Sequence, residues 1–222
     1  PPVIGIDLEF DSHDVDERPI SLVQVSNEHN SVAVLDVVEI AGGERNTRKV
    51  FGLQYAKRGG KKGCTLGGML QSSKTVVVAH GALGDCSVLA KQGVIVTRLF
   101  DTQIAHACLE GGAISSGNKQ ISYAKIVKKY LQEDVVFQGS SQPSVIKRVI
   151  RTPHEIMKRP LPVAFIDYAA EDARYLPRLY DVLVEKLKKK DSSGKTLERV
   201  FELSGLLSRG VNVFAKNDKT KK

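Results

Sequence analysis

The stretch Val3-Ile4-Gly5-Ile6-Asp7-Leu8-Glu9-Phe10 decides the fold, because it is a short β-type run that carries two acids. Alternate residues of a strand face the same way, so the side chains of Asp7 and Glu9 point to one side. Their neighbours are apolar, which predicts a central strand of a sheet. Two carboxylates there are costly unless something cationic compensates them. An edge strand with both acids in water is the alternative that this stretch leaves open.

Further runs predict the rest of the sheet and its helices. Residues 21–26 and 32–36, separated by a turn-rich segment, extend the first strand into a meander. Residues 75–79 are a continuous apolar run, typical of a strand buried on both faces, and a short strand follows at 98–101. Helices are predicted over residues 83–92, 102–109, 122–131, 163–189 with a kink at Pro177, and 196–208. This order indicates an α/β domain with a mixed sheet.

Charge is distributed unevenly along the 222 residues, which carry a net charge of +8. Residues 1–50 hold 4 Lys and Arg against 10 Asp and Glu, whereas the rest of the chain is basic. Residues 41–63, rich in Gly, Lys and Arg, are predicted to form a long basic loop. Basic surface attracts polyanions such as nucleic acid, and a role in solubility alone is the alternative.

Composition restricts the class of protein. No apolar run approaches the ~20 residues that span a bilayer, so we expect no membrane association. Three cysteines, 22 residues apart each time, fit neither a disulfide framework nor a zinc motif and indicate an intracellular protein, cytoplasmic or nuclear. The chain begins Pro1-Pro2-Val3, from which we expect a fragment of a larger protein. The sequence does not indicate an oligomeric state.

Two later segments carry further candidate site residues. Asp85 follows the buried strand through a tight glycine-containing turn, near the strand end where α/β proteins place ligands. A helix N-cap is the alternative role for Asp85. Tyr168 and Asp172 are four residues apart and share one face of a helix. The alternative for this pair is a tyrosine in the core and an exposed aspartate.

Four acids, Asp7, Glu9, Asp85 and Asp172, thus lie on three elements that could converge at one end of the sheet. Four unpaired carboxylates would repel one another by kilocalories each at short range. Two divalent cations, Mg²⁺ or Mn²⁺, would remove that repulsion. Two such ions about 3.5–4 Å apart stabilise the attacking and leaving oxygens in phosphodiester cleavage.

Three motifs in this order resemble the 3′–5′ exonucleases of the Asp-Glu-Asp-Asp-Tyr class, within the ribonuclease D-like group. The motifs are Ile4-Gly5-Ile6-Asp7-Leu8-Glu9, Val78-Ala79-His80-Gly81-Ala82-Leu83-Gly84-Asp85 and Tyr168-Ala169-Ala170-Glu171-Asp172. Residues 99–105, 121–127 and 159–161 look like the family's connecting segments, and the resemblance covers about residues 2–188. A sister class of these exonucleases has a histidine five residues before the last aspartate in place of the tyrosine. This chain has Asp167 at that position, so it resembles the tyrosine class. The chain also has no tryptophan, which related members often carry before the third motif.

The resemblance implies a ribonuclease H-like fold, with a five-stranded mixed sheet flanked by helices. It assigns metal binding to the four acids and implies that Tyr168 orients the attacking water. Glu9 would also accept a hydrogen bond from the terminal 3′-hydroxyl. The implied activity is hydrolysis from the 3′ end of single-stranded nucleic acid, RNA rather than DNA, with release of nucleoside 5′-monophosphates. A silent or occluded exonuclease-like module that binds RNA or protein is the alternative.

We expect an exonuclease domain over residues 1–190 and a C-terminal helix and polar tail over 191–222.

Candidate substrate-binding residues lie in or near these motifs and in the basic loop. The candidates are Leu8, Phe10, His80, Lys57 and Arg58. Phe10 and His13 could stack near the terminal base. A structural hydrogen-bonding role is the alternative for His80, and a solvated loop is the alternative for the two basic residues. Asp101 is expected to cap a helix rather than to bind metal.

Overall fold

The structure of the chain is a computed structural model, which describes residues 1–42, 48–52, 65–111, 120–135 and 143–214. Its centre is a sheet of five strands, β1 (Val3–Phe10), β2 (Ile20–Ser26), β3 (Val32–Asp36), β4 (Val76–Ala79) and β5 (Leu99–Asp101). Their order in the sheet is β3-β2-β1-β4-β5. The first three strands form the expected antiparallel meander, and β4 and β5 continue the sheet in parallel with β1. The predicted mixed sheet is therefore confirmed.

Strand β1 is the middle strand, so the prediction of a central strand is confirmed and the edge-strand alternative is wrong. It pairs with β2 so that Asp7 lies opposite Gln24 and Glu9 opposite Leu22. On its other side it runs parallel to β4. Parallel strands end at the same edge of a sheet, so the acids of β1 and the turn after β4 meet there.

Helices cover the sheet, and the described ranges contain ten of them besides a short 3₁₀ helix, Glu155–Met157. They are α1 (Val37–Ile40), α2 (Arg48–Gly52), α3 (Leu66–Leu70), α4 (Leu83–Lys91), α5 (Thr102–Glu110), α6 (Tyr123–Leu131), α7 (Pro143–Arg151), α8 (Val163–Arg174), α9 (Leu176–Lys190) and α10 (Lys195–Ser208). None of the helices in these ranges is long and apolar enough to cross a bilayer.

The predicted single helix over 163–189 is two helices, α8 and α9, which meet at Tyr175. Pro177 lies in the first turn of α9, where its missing N–H has no intrahelical partner to lose, so it starts a helix instead of bending one. The start of α9 packs against β1 at Gly5, where a Cβ would stand 2.7 Å from the Cβ of Leu176. A glycine there permits the close approach.

The prediction of one long loop over 41–63 is wrong in part. Helix α2 lies within it and buries Val50 and Phe51 in the core. Residues 43–47 and 53–64 lie outside the described residues, and with them Lys57 and Arg58. Helix α7 begins at Pro143, within a Gly-, Ser- and Pro-rich segment for which the sequence predicted no helix.

Helix α10 belongs to the same core as the sheet. Its Val200 and Leu207 are fully buried among residues of β4, β5 and α5. Ser204 of α10 accepts a hydrogen bond from the backbone N–H of Asp101, at the end of β5. The predicted polar tail lies beyond residue 214, outside the described chain.

Candidate metal centre and active site

Strand β1 and helix α8 bring three carboxylates together. One carboxylate oxygen from each of Asp7, Glu9 and Asp172 lies within 4.8 Å of the other two, and all three residues are half-buried. Asp7 and Glu9 share a face of β1 because they are two residues apart in a strand. The convergence expected from the sequence is therefore present for these three acids.

Helix α8 can approach the sheet closely because small residues face it. Ala169 and Ala173 are fully buried, and the hydroxyl of Ser26 on β2 donates to the carbonyl of Ala173 at 2.7 Å. Tyr168 and Asp172 lie one turn apart on this helix, and the tyrosine hydroxyl donates a hydrogen bond to the carboxylate. The alternative is right for the tyrosine, whose ring stacks on the buried Phe165 with centroids 6.0 Å apart. It is wrong for Asp172, which is half-buried rather than exposed.

The fourth acid, Asp85, lies in the first turn of α4. The N-cap of that helix is Ala82, so the N-cap alternative for Asp85 is wrong. Asp85 is not part of the 4.8 Å group, yet its charge raises the pKa of both Asp7 and Glu9. It therefore faces the same space across a longer gap.

Asp101 holds the turn that places Asp85. Its carboxylate accepts hydrogen bonds from the backbone N–H groups of Ala82 at 2.7 Å, Gln103 at 2.8 Å and Ile104 at 3.1 Å. It is the N-cap of α5 and is fully buried. The prediction that Asp101 caps a helix is confirmed.

The acids of the site hold their protons more tightly than ordinary carboxyl groups. Burial, and then the charges of Asp85, Glu9 and Asp172, raise the pKa of Asp7 well above its usual range. Burial and the neighbouring acids raise the pKa of Glu9 to about 8. Burial, followed by Asp101, raises the pKa of Asp85 to about 7, and burial raises that of Asp172 to about 6.

These shifts fit the site to a hard divalent cation. A cation favours the charged form of a nearby carboxylate, which offsets burial and mutual repulsion together. Every donor of the group is a carboxylate oxygen, the ligand type that Mg²⁺ and Mn²⁺ prefer. The chain supplies no cationic side chain to this group within 4.0 Å among the described ion pairs. The residues present therefore suit a divalent metal.

The substrate-binding candidates differ in what the structure offers. Leu8 is only 5% exposed and its side chain packs in the core, which leaves little side-chain surface for a substrate, and its substrate-binding role stays a prediction. Phe10 is half-buried at the end of β1, beside Gly84 of α4. His13 is exposed, and its backbone N–H donates to Asp11, which leaves its stacking role a prediction.

His80 has the structural role that was the alternative. Its ring nitrogens hydrogen-bond the hydroxyl of Thr102 at 2.7 Å and the carbonyl of Ile121 at 3.0 Å. Burial lowers its pKa to about 4, so the ring is neutral at pH 7. It ties the turn after β4 to the segment before α6.

Two residues next to the acids were not singled out from the sequence. Tyr123 packs edge-on against His80, with ring centroids 5.7 Å apart, and its hydroxyl accepts from the N–H of Tyr175 at 3.0 Å. Burial and the charges of Asp172 and Asp7 raise its pKa.

Gln24, opposite Asp7, is fully buried. A polar residue at a buried position of the run Leu22-Val23-Gln24-Val25 is the signal that could have found it.

Comparisons with known proteins agree with this geometry. A family model described as 3′–5′ exonuclease matches residues 1–188, and the chain therefore belongs to the 3′–5′ exonuclease family. Ribonuclease D of Shewanella sp. (strain ANA-3) is 32% identical over 127 residues, which make up 57% of this chain and 28% of that protein. The expected resemblance to the ribonuclease D-like group is confirmed.

Solved structures share the fold. The catalytic core of RRP6 from Trypanosoma brucei matches 97% of this chain and 47% of its own, with a TM-score of 0.62 and 22% identity. Brucella melitensis NrnC with bound Mg²⁺ matches 94% of this chain and 84% of its own, with a TM-score of 0.64 and 20% identity. The predicted ribonuclease H-like fold is thereby confirmed. The chain spans less than half the length of the ribonuclease D and RRP6 chains.

Proposed function

We propose that the chain is a metal-dependent 3′–5′ exonuclease that hydrolyses single-stranded nucleic acid, RNA in preference to DNA, and releases nucleoside 5′-monophosphates. The observation that carries the proposal is the meeting of Asp7, Glu9 and Asp172 around one space, faced by Asp85. Membership of the exonuclease family and the likeness to ribonuclease D support it.

Two divalent cations, Mg²⁺ or Mn²⁺, would be held by Asp7, Glu9, Asp85 and Asp172. When bound, such ions lower the pKa of water and stabilise charge on the attacking and leaving oxygens. Glu9 is the acid nearest the end of β1 and is proposed to accept a hydrogen bond from the terminal 3′-hydroxyl.

Tyr168 would orient the attacking water. Burial, followed by the charges of Asp172 and Glu9, raises its pKa, so its hydroxyl stays protonated at neutral pH. The hydrogen bond to Asp172 fixes the direction of that hydroxyl. A neutral, fixed phenol can position a water without taking its proton.

The reaction is a balanced hydrolysis. A bond forms between the water oxygen and the phosphorus of the last phosphodiester, and the bond from phosphorus to the 3′-oxygen of the preceding nucleotide breaks. The two protons of the water end on the leaving 3′-oxygen and in the solvent or on the released phosphate. The products are a nucleoside 5′-monophosphate and a strand shorter by one nucleotide.

A 5′-labelled single-stranded RNA heptamer tests the proposal. We expect a ladder that shortens from the 3′ end with Mg²⁺ or Mn²⁺, 5′-monophosphates as products, and no turnover with EDTA. The matched control is Glu202→Gln, which removes an exposed carboxylate paired with Arg199 and should leave the rate unchanged. Shortening from the 5′ end, release of 3′-monophosphates, or full activity in EDTA would contradict the proposal. RNA binding without turnover in every metal would indicate the silent module instead.

A further inference from the structure

A groove of about 610 Å³ opens against helix α4, the helix that carries Asp85. Its lining includes Gly84 and Lys91 of α4, Arg209 directly after α10, and Arg18 from the loop that follows β1. This volume lies within the range of about 300–1,000 Å³ that is common for ligand sites.

The groove is cationic. Arg18, Lys91 and Arg209 come from three separate segments, and none of the described residues that line it is an acid. The acids of the Arg18 loop, among them Asp14 and Glu17, are absent from that lining, and the carboxylate of Asp14 accepts from the N–H of Glu17 instead. A concave surface of one sign attracts the opposite charge, here an anion.

Arg18 itself indicates an anion as the occupant. Its φ of +46° is left-handed, a conformation that costs a residue with a Cβ about 1–2 kcal/mol. Its Nε is buried and has no hydrogen-bond partner within the described part of the chain. A buried donor left without a partner costs about 1–3 kcal/mol, so a shift of the Arg18 side chain toward an anion in the groove would be favoured.

The groove adjoins the first turn of α4, the turn that carries Asp85. Gly84, which lines it, directly precedes Asp85 in the first turn of α4. A Cβ on Gly84 would stand 3.6 Å from the ring of Phe10, which follows Glu9. Phe10 and Gly84 therefore form the boundary between the acids and the groove.

We propose that this groove binds the phosphates of the nucleic-acid strand upstream of the terminal nucleotide. The proposal rests on the proposed function, because it takes the 3′ end to lie at the acids. The strand would leave the acids past Phe10 and Gly84 and bring its phosphates to Arg18 and Arg209. Lys91 would add positive charge beside them, while its ammonium group donates to the carbonyls of Val15 and Asp16. The groove thus selects single-stranded substrates longer than a dinucleotide.

The test compares KM for a single-stranded RNA heptamer and for a dinucleotide, at several salt concentrations. In the wild type we expect a lower KM for the heptamer, and a kcat/KM that falls steeply with salt. Arg18→Gln and Arg209→Gln should each lower the ratio of the dinucleotide KM to the heptamer KM about ten-fold. Each should also reduce the slope of log kcat/KM against log salt concentration by roughly one. Arg18→Gly, which also relieves the left-handed strain, should show the same loss with an equal or higher melting temperature.

Lys195→Gln is the matched control, because Lys195 is an exposed cation at the opposite end of α10. It should change neither the KM ratio nor the salt slope. Equal KM ratios and slopes in wild type, Arg18→Gly and Arg209→Gln would overturn the groove while leaving the exonuclease intact. Absence of hydrolysis of both substrates by the wild type would instead contradict the proposed function.

A separate observation concerns Gln24 on β2. It is fully buried, and among the residues that the structure describes neither the nitrogen nor the oxygen of its amide has a hydrogen-bond partner. Residues directly opposite in an antiparallel pair point to the same face, so Gln24 stands beside Asp7. Its neighbour on that face, Ser26, bonds the carbonyl of Ala173 on α8, which shows that the helix covers this side.

We infer that Gln24 is a positioning residue of the metal centre. An unpaired buried amide costs about 1–3 kcal/mol, and the chain could place an apolar residue there at no such cost. An amide beside Asp7 can donate to that carboxylate or to a water on a bound cation, and so orient the ligand set. This inference also rests on the proposed function.

Two measurements on the metal-free protein test the inference: its affinity for Mn²⁺ by calorimetry and its melting temperature. Gln24→Leu should weaken Mn²⁺ binding by about 10–100-fold, as loss of an outer partner does, while the metal-free protein melts at the same or a higher temperature. Ser26→Ala is the matched control and should lower the melting temperature with unchanged Mn²⁺ affinity. If Gln24→Leu does not fold, Gln24→Asn keeps the amide but withdraws it and should also weaken binding. Unchanged affinity in the folded Gln24 variants would overturn the inference, whereas a wild type that binds no Mn²⁺ would contradict the proposed function.

Discussion

Asp7 and Asp101 are aspartates of one sheet, but their surroundings differ. The backbone stabilises the carboxylate of Asp101, whereas Asp7 lies among other acids. Asp101, at the end of β5, accepts three short backbone hydrogen bonds, which lower a pKa that burial raises. Asp7, on β1, has one backbone hydrogen bond, from Leu8, and faces three other acids. The chain itself satisfies the structural carboxylate of Asp101, whereas the acids of the proposed metal centre would be compensated by a bound cation.

The largest expected effect is a loss of activity when Asp7 is substituted, which distinguishes Asp7 from the structural Asp101. Asp7→Asn removes one of the proposed ligands, and a loss of several kcal/mol of charge stabilisation lowers kcat/KM by about 10³-fold. The same variant removes repulsion, so the metal-free protein should melt at a higher temperature than the wild type. Heptamer hydrolysis and calorimetric melting in EDTA measure the two effects. Full activity in this variant would remove Asp7 from the site.

Tyr168→Phe sharpens the distinction between holding a metal and positioning a water. We expect kcat to fall by about 10²-fold, because misplacement of a reactant has an effect of that size. Affinity for Mn²⁺ should change little, since the phenol is not among the proposed ligands. Calorimetry and single-turnover kinetics check the two quantities separately. A loss of metal affinity with an unchanged kcat would give Tyr168 a different role.

Asp101→Asn should act on stability. The amide keeps the shape of the carboxylate, but it is a weaker acceptor and its NH₂ group faces backbone N–H groups that are donors themselves. We expect the unfolding free energy to fall by about 1–3 kcal/mol. Thermal unfolding measures this change, with Asp134→Asn as the control, because Asp134 is exposed and its ion pair within the described ranges is with the exposed Lys128. A neutral Asp101→Asn would mean that the turn before Asp85 is held by other contacts.

The smallest expected effect is a pH dependence of the metal-free protein. The folded pKa values of Asp172, Asp85 and Glu9, about 6, 7 and 8, lie above the unfolded value near 4. Their contribution to stability is therefore complete below about pH 4 and is lost as the pH rises through 6 to 8. We expect the melting temperature in EDTA to fall by a few degrees more in wild type than in Glu9→Gln over that interval. Equal slopes for the two proteins would contradict the shifts.

Part of the site could be predicted from the sequence because its signals are local. Alternation in β1 places Asp7 and Glu9 on one face, and a spacing of four places Tyr168 and Asp172 on one turn of helix. The segment after Asp101 identifies it as a helix cap. These inferences need only the period of a strand or a helix.

Other features depended on contacts between distant segments. The role of His80 is set by Thr102 and by the segment before α6, and Pro177 starts a helix because α8 ends at Tyr175. The burial of Leu8 and the position of Gln24 beside Asp7 depend on strand pairing. No local period indicates such partners.

The amino-acid sequence by itself predicted an α/β class with a mixed sheet. It also placed Asp7 with Glu9, and Tyr168 with Asp172, on shared faces, because the periods of a strand and a helix fix those faces. Only the tertiary structure decided that three of the acids meet within 4.8 Å while Asp85 faces them across a gap. It alone brought Arg18, Lys91 and Arg209 to one groove. The physical reason is that charge acts through distance in space, and that distance is set by the packing of α4, α8 and α10 on the sheet.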